Sequence, residues 1–173
     1  MPKPPRIQGS SSRLRVGRVS EDYGCYAITK VVDQRRRVLA TDEIADRIIA
    51  CLRYMRHEEK IKLFAFSIMP DHLHLSLCLM PGEEIFAVVR DFSKFTSRGI
   101  NQLLATRGKL WQEGFFDRRI RNREELGDRC EYIEHNPVRA GPVRAGLVAS
   151  AQQWPYSSAA FPNQAYLDRD WWP

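Results

Sequence analysis

Two apolar runs, Lys62 to Ile68 (KLFAFSI) and His72 to Met80 (HLHLSLCLM), are separated by nothing but Met69-Pro70-Asp71. Both have strand length and strand composition, and a Pro-Asp pair presets a tight turn. The chain must therefore double back on itself here as an antiparallel hairpin. A lone hairpin is marginal in water, so the flanking sequence has to supply more strands and helices to cover it. The hairpin is expected at the centre of the resulting sheet.

The flanks fit that demand. Cys25 to Val32 (CYAITKVV) has strand composition, and Thr41 to Met55 opens with an N-cap residue and an acidic turn before a helical apolar stripe. Beyond Pro81-Gly82, Glu83 to Leu104 sets Ile85, Val88, Val89, Phe92 and Phe95 on one helical face and Arg90, Lys94 and Arg98 on another. Trp111 to Arg119 (WQEGFFDRR) reads as a short fourth strand. Arg123 to Asn136 reads as a further helix, stopped because Pro137 disfavours helical geometry before it. The order βαββαβ plus α predicts an α+β fold: a ferredoxin-like antiparallel sheet with an additional C-terminal helix.

At 173 residues with 43% hydrophobic content, the chain can bury one core without staples. It divides into a basic arm (1–21, carrying Lys3, Arg6, Arg13, Arg15 and Arg18), one domain (22–160) and a tail (161–173). PVRAG at 137–141 recurs at once at 142–146, which reads as a duplication in a surface loop. Cys25, Cys51, Cys78 and Cys130 lack metal or disulfide spacing and read as small core residues. No run is long enough to span a bilayer and the N-terminus carries no secretory apolar stretch, so a cytoplasmic protein without a membrane partner is expected. A formal net charge of +6 favours a polyanionic partner without choosing between nucleic acid and a membrane surface.

Local chemistry narrows the choice. In a strand, His72 and His74 project to one side about 7 Å apart, while Leu73, Leu75 and Leu77 project to the other. Such a pair can grip a metal ion, or can simply be two histidines on a polar strand face. On the last helix, Tyr132 and Asn136 share a stripe with Glu125 and Arg129, whereas Glu131 and Glu134 point away towards solvent. Facing the histidines, that stripe would supply a nucleophile and a third ligand for phosphoryl transfer. Facing elsewhere, it would be a core-edge phenol and a helix-ending amide. Trp111, Phe115 and Phe116 could stack on unpaired bases or pack in the core.

MPDHLHL, WQEGFFDRRIRN, EYIEHNPVRAG and WPYSS, in this order and spacing, resemble the REP-associated tyrosine transposases of the single-tyrosine HUH (histidine-hydrophobic-histidine) superfamily, IS200-like transposases. The resemblance spans Cys25 to Ser158 and departs from the family in the extra PVRAG. It implies a metal-dependent endonuclease and strand transferase acting on single-stranded DNA at hairpin, REP-type elements through a 5′-phosphotyrosine. It places the nucleophile on Tyr132 and the metal ligands on His72, His74 and Asn136, with Mg²⁺ or Mn²⁺ as the cofactor. It implies a nucleoid-associated location and favours a monomer over a dimer. Arg118, Arg119, Arg121 and Arg123 would then lie beside the scissile strand, with Arg90, Lys94 and Arg98 as a secondary phosphate-binding ridge. The alternative is a catalytically silent DNA-hairpin-binding regulator with the same fold.

Overall fold

The computed structural model describes residues 20–140 and 149–173. Residues 1–19 of the basic arm and the whole second PVRAG copy (142–146) lie outside the described residues. Strands β1 (Cys25–Val31), β2 (Ile61–Met69), β3 (His72–Leu79) and β4 (Phe116–Ile120) form one antiparallel sheet in the order β2-β3-β1-β4. Helices α1 (Asp42–His57) and α2 (Ile85–Leu103) cover one face, and α3 (Arg123–Glu134) packs on the other. This is the ferredoxin-like βαββαβ order with the additional helix.

Alternation along β3 sorts the two faces. Leu73, Leu75, Leu77 and Leu79 join Ile44, Ile48 and Leu52 of α1 and Val88 and Phe92 of α2 in the main core. Under α3 lies a smaller group, Cys25, Phe64, Cys78, Ile120 and Leu126. Phe64 reaches it through an irregularity in the β2–β3 register between Leu63 and Ala65.

Several sequence expectations need correction. Only β3 of the hairpin is interior, with β1, while β2 is an edge strand. Its free edge is covered by the C-terminal segment: Ile68 N–H donates to Tyr156 O and Ser158 N–H to Phe66 O, both at 2.8 Å. The Trp154 indole N–H adds a bond to Ile68 O at 2.9 Å, so the edge offers few open backbone groups for pairing. Asp168 ties the same segment down by accepting two bonds from Arg56, at 2.8 and 2.9 Å, and one from Leu63 N–H.

The fourth strand is shorter than its aromatic run. Trp111 makes a single bridge to Val32 and donates its indole N–H to Thr96 Oγ1 at 2.9 Å, and Gly114, at φ +73°, turns the chain before β4 begins. Thr96, which also donates to Phe92 O, is fully buried, whereas Phe95 is 55% exposed. Finally, Pro137 opens a helix instead of ending one. The chain leaves α3 at His135 and resumes as α4 (Asn136–Ala140), where a proline near the start forfeits no helical hydrogen bond. The first PVRAG copy is therefore helical through Ala140, not loop.

Candidate functional site

The β3 alternation that buries four leucines turns His72, His74 and Ser76 towards α3. The His72 and His74 rings meet edge to face with centroids 4.8 Å apart. Register places Thr29 of β1 opposite His74, and Thr29 Oγ1 and His74 Nδ1 share a hydrogen bond of 2.9 Å. His72 Nδ1–H donates to Asp71 at 2.6 Å, and Asp71 also accepts from Arg35 at 3.0 Å. Both imidazoles are thus held by Nδ1, which fixes ring orientation and leaves Nε2 of each uncommitted to these bonds.

Electrostatics follows the same geometry. The hydrogen bond from His72, with Arg35 adding to it, holds the Asp71 carboxyl down at about 2 against the opposing effect of burial. Burial foremost, then the neighbouring His72, drives His74 down to about 3, so its imidazole is neutral at physiological pH.

α3 brings the phenol to this pair. Asn122 caps the helix by accepting Glu125 N–H at 2.8 Å, and Leu126 and Ile133 anchor its inner face. Tyr132 stands edge-on to His74, ring centroids 6.5 Å apart at 84°, and remains 42% exposed. Glu134 does not point to solvent as its helical position suggested: it accepts from Ser158 Oγ at 2.8 Å and pairs with Arg169, latching α3 to the C-terminal segment. Glu131 is exposed, as expected. Glu125 turns to Arg118 and to Arg121 N–H.

Asn136 starts α4 fully inside, 5% exposed, and its Nδ2 has no hydrogen-bond partner among the described residues. A carboxamide presents oxygen or nitrogen at that place by a half-turn, so this buried position is open to a ligand. No group of three His, Cys, Asp and Glu stands together among the described residues. The residues expected as ligands, His72, His74 and Asn136, offer two imidazole nitrogens and one carboxamide, a set of donors that would fit a divalent ion only with further oxygens from substrate or water.

The arginines expected around the site divide. Arg118 lies on the histidine face, opposite Ala27 and one row of the sheet from Thr29, and pairs with Glu125 at 3.0 Å. Arg119 lies on the opposite face, paired with Glu21. Arg121 and Arg123 are exposed at the entry to α3. Arg90, Lys94 and Arg98 are exposed on α2, across the sheet from the histidines. Sequence reasoning did not find Thr29 or Arg35. Both are separated from the histidines by tens of residues, and only strand register reveals them.

A sheet face bearing an H-x-H pair, with a tyrosine helix laid across it, defines an HUH-type tyrosine architecture. The model of the IS200-like transposases matches residues 23–136, and the chain belongs to that family. A protein of Haemophilus influenzae assigned as a REP-associated tyrosine transposase is 28% identical, over 78% of this chain and 79% of that one. The REP-associated tyrosine transposase of Escherichia coli is 26% identical, over 78% and 76%. The solved structure of a REP-associated tyrosine transposase bound to a REP hairpin shares the fold at a TM-score of 0.64 and 20% identity, covering 90% of this chain and 89% of that one. No described helix is long and apolar enough to cross a membrane.

Proposed function

We propose that the chain is an endonuclease and strand transferase that cuts single-stranded DNA at hairpin-bearing, REP-type elements and holds the cut end on Tyr132. The observation that carries this reading is the ring cluster itself: an exposed phenol edge-on to a neutral imidazole that is paired with a second one. In the reaction, the Tyr132 oxygen forms a bond to a backbone phosphorus and the bond from that phosphorus to the 3′-oxygen breaks. The phenol proton is lost, the 3′-oxygen leaves as a hydroxyl, and the 5′-phosphate stays on the tyrosine. A 3′-hydroxyl from another strand reverses the step and joins the ends without a nucleotide cofactor.

His72, His74 and Asn136 would hold a divalent ion, Mg²⁺ or Mn²⁺. Bound there, it would neutralise charge on the phosphate oxygens. Asp71 and Thr29 keep the two rings oriented, and the exposure of Tyr132 gives the strand access. Membership of the family and the REP-associated relatives support the choice of substrate.

The test is to incubate the purified chain with hairpin oligonucleotides from repeats beside its own gene, in Mg²⁺, Mn²⁺ or EDTA, and to separate products by denaturing electrophoresis. A metal-dependent protein–DNA band that vanishes in Tyr132→Phe is expected. Hairpin binding without a band in any metal would favour the silent regulator.

A further inference from the structure

Along its helical stripe, Tyr132 stands between two buried side-chain nitrogens that find no hydrogen-bond partner among the described residues: Asn136 Nδ2, one turn after it, and Arg129 Nε, one turn before. Asn136 already has a place in the proposed reaction. Arg129 has none. At 100° per residue it falls between the buried row of Leu126 and Ile133 and the row of Glu125 and Tyr132, so it is partly buried at the edge of the core beside the phenol. Residues three apart on a helix have Cβ atoms about 5–6 Å from each other, close enough for one phosphate to touch both side chains.

A guanidinium is always charged, and a buried N–H of it without an acceptor is costly, so the partner it lacks is an anion. No carboxylate among the described residues fills that place. Glu125, one turn earlier on the stripe, is taken up by Arg118 and by Arg121 N–H. Glu134 is engaged by Ser158 and Arg169 on the other side of α3. Asp128 and Glu131 lie beyond Tyr132: Asp128, Glu131 and Tyr132 line an open cavity of about 400 Å³ on the outer side of the helix. α3 packs over β2 and β3, so the stripe looks out across β1 and β4, where Ala27 and Thr29 are only partly covered and Phe116 and Arg118 are exposed. A DNA strand laid on that shelf brings its phosphates to Tyr132 and Arg129 together.

We infer that Arg129 is a further catalytic residue: its guanidinium holds a non-bridging oxygen of the phosphate that Tyr132 attacks, and balances the charge that gathers there as the phenol oxygen bonds to phosphorus. No bond or proton changes hands at Arg129, so the balance of the step is unaltered. The inference rests on the proposed reading of Tyr132 as the nucleophile.

The test compares rates of adduct formation by the full chain on two hairpin oligonucleotides, one ordinary and one with an uncharged methylphosphonate at the scissile position. Arg129→Gln should slow reaction of the ordinary strand by about 100-fold or more, with hairpin affinity by fluorescence anisotropy and the urea midpoint close to those of the unaltered chain. On the methylphosphonate, which has lost the charge that Arg129 serves, the two chains should react at equal rates. Arg129→Lys, which keeps the charge and loses the planar fork, should fall between them on the ordinary strand, and it carries the same comparison should Arg129→Gln not fold. If the methylphosphonate is inert even to the unaltered chain, guanidinium ion added to Arg129→Ala becomes the readout, and recovery of the adduct is expected. Undiminished adduct formation in Arg129→Gln, a deficit equal on both strands, or one that guanidinium does not relieve would overturn the inference while leaving Tyr132 as the nucleophile. Absence of any adduct from the unaltered chain on the ordinary strand would overturn both.

Discussion

On the face covered by α1 and α2, β3 sends Leu73, Leu75, Leu77 and Leu79 into a continuous apolar core, whereas on the other it sends His72, His74 and Ser76 towards a single helix. The residues alternate, yet their environments share little. The leucine face is closed by two long helices. The histidine face keeps Ala27, Thr29, His72 and His74 only partly covered and its tyrosine 42% exposed. Because the first face carries most of the apolar burial, the second can hold polar, hydrogen-bonded groups close to water without endangering the fold. Stability and chemistry are thus expected to separate by residue parity along one strand.

Two neighbours test that separation. Leu75→Ala should cost about 2–5 kcal/mol in urea unfolding, as a core truncation that leaves a cavity. His74→Gln, one residue back, should abolish the protein–DNA adduct while moving unfolding by less than about 1 kcal/mol. Equal losses of stability in the two variants would break the comparison.

A smaller effect is expected from Thr29→Val, which keeps the shape and removes the hydroxyl bonded to His74. Loss of an orienting partner of this kind should slow adduct formation by about 10–100-fold, with stability nearly unchanged. Smallest is the acid response of Asp71. Its carboxyl sits at about 2 in the folded chain against an ordinary 3.8, so it contributes stability that is fully present above the ordinary value and is lost as pH falls through about 2. Asp71→Asn should therefore flatten the acid limb of an unfolding-versus-pH curve in that window, and a limb of unchanged slope would show that Asp71 carries no such linkage.

The parts of this arrangement that depend on local period could be read from the chain. Alternation placed His72 and His74 together, and the helical stripe put Tyr132 where it could meet them. What depends on partners distant in sequence could not. The unbroken apolar run of β2 suggested a central strand, but it is an edge whose open side is sealed by Tyr156 and Ser158, about ninety residues on. Phe95, expected on the apolar face of α2, is exposed, and the buried place beside it goes to Thr96, whose hydroxyl accepts the Trp111 indole N–H. Glu134 faces inward because Ser158 and Arg169 are there to meet it. In the sequence Pro137 reads as a stop, but a proline opens a helix as readily as it ends one.

The central claim is that Tyr132 becomes the covalent attachment point of the DNA. The most direct measurement is mass spectrometry of the chain after reaction with a hairpin oligonucleotide, followed by proteolysis and nuclease trimming. The account predicts a nucleotide mass on the peptide containing Tyr132, dependent on divalent metal and absent in Tyr132→Phe. Cleaved DNA with every tyrosine peptide unmodified, or a mass on another tyrosine such as Tyr23 or Tyr54, would contradict it.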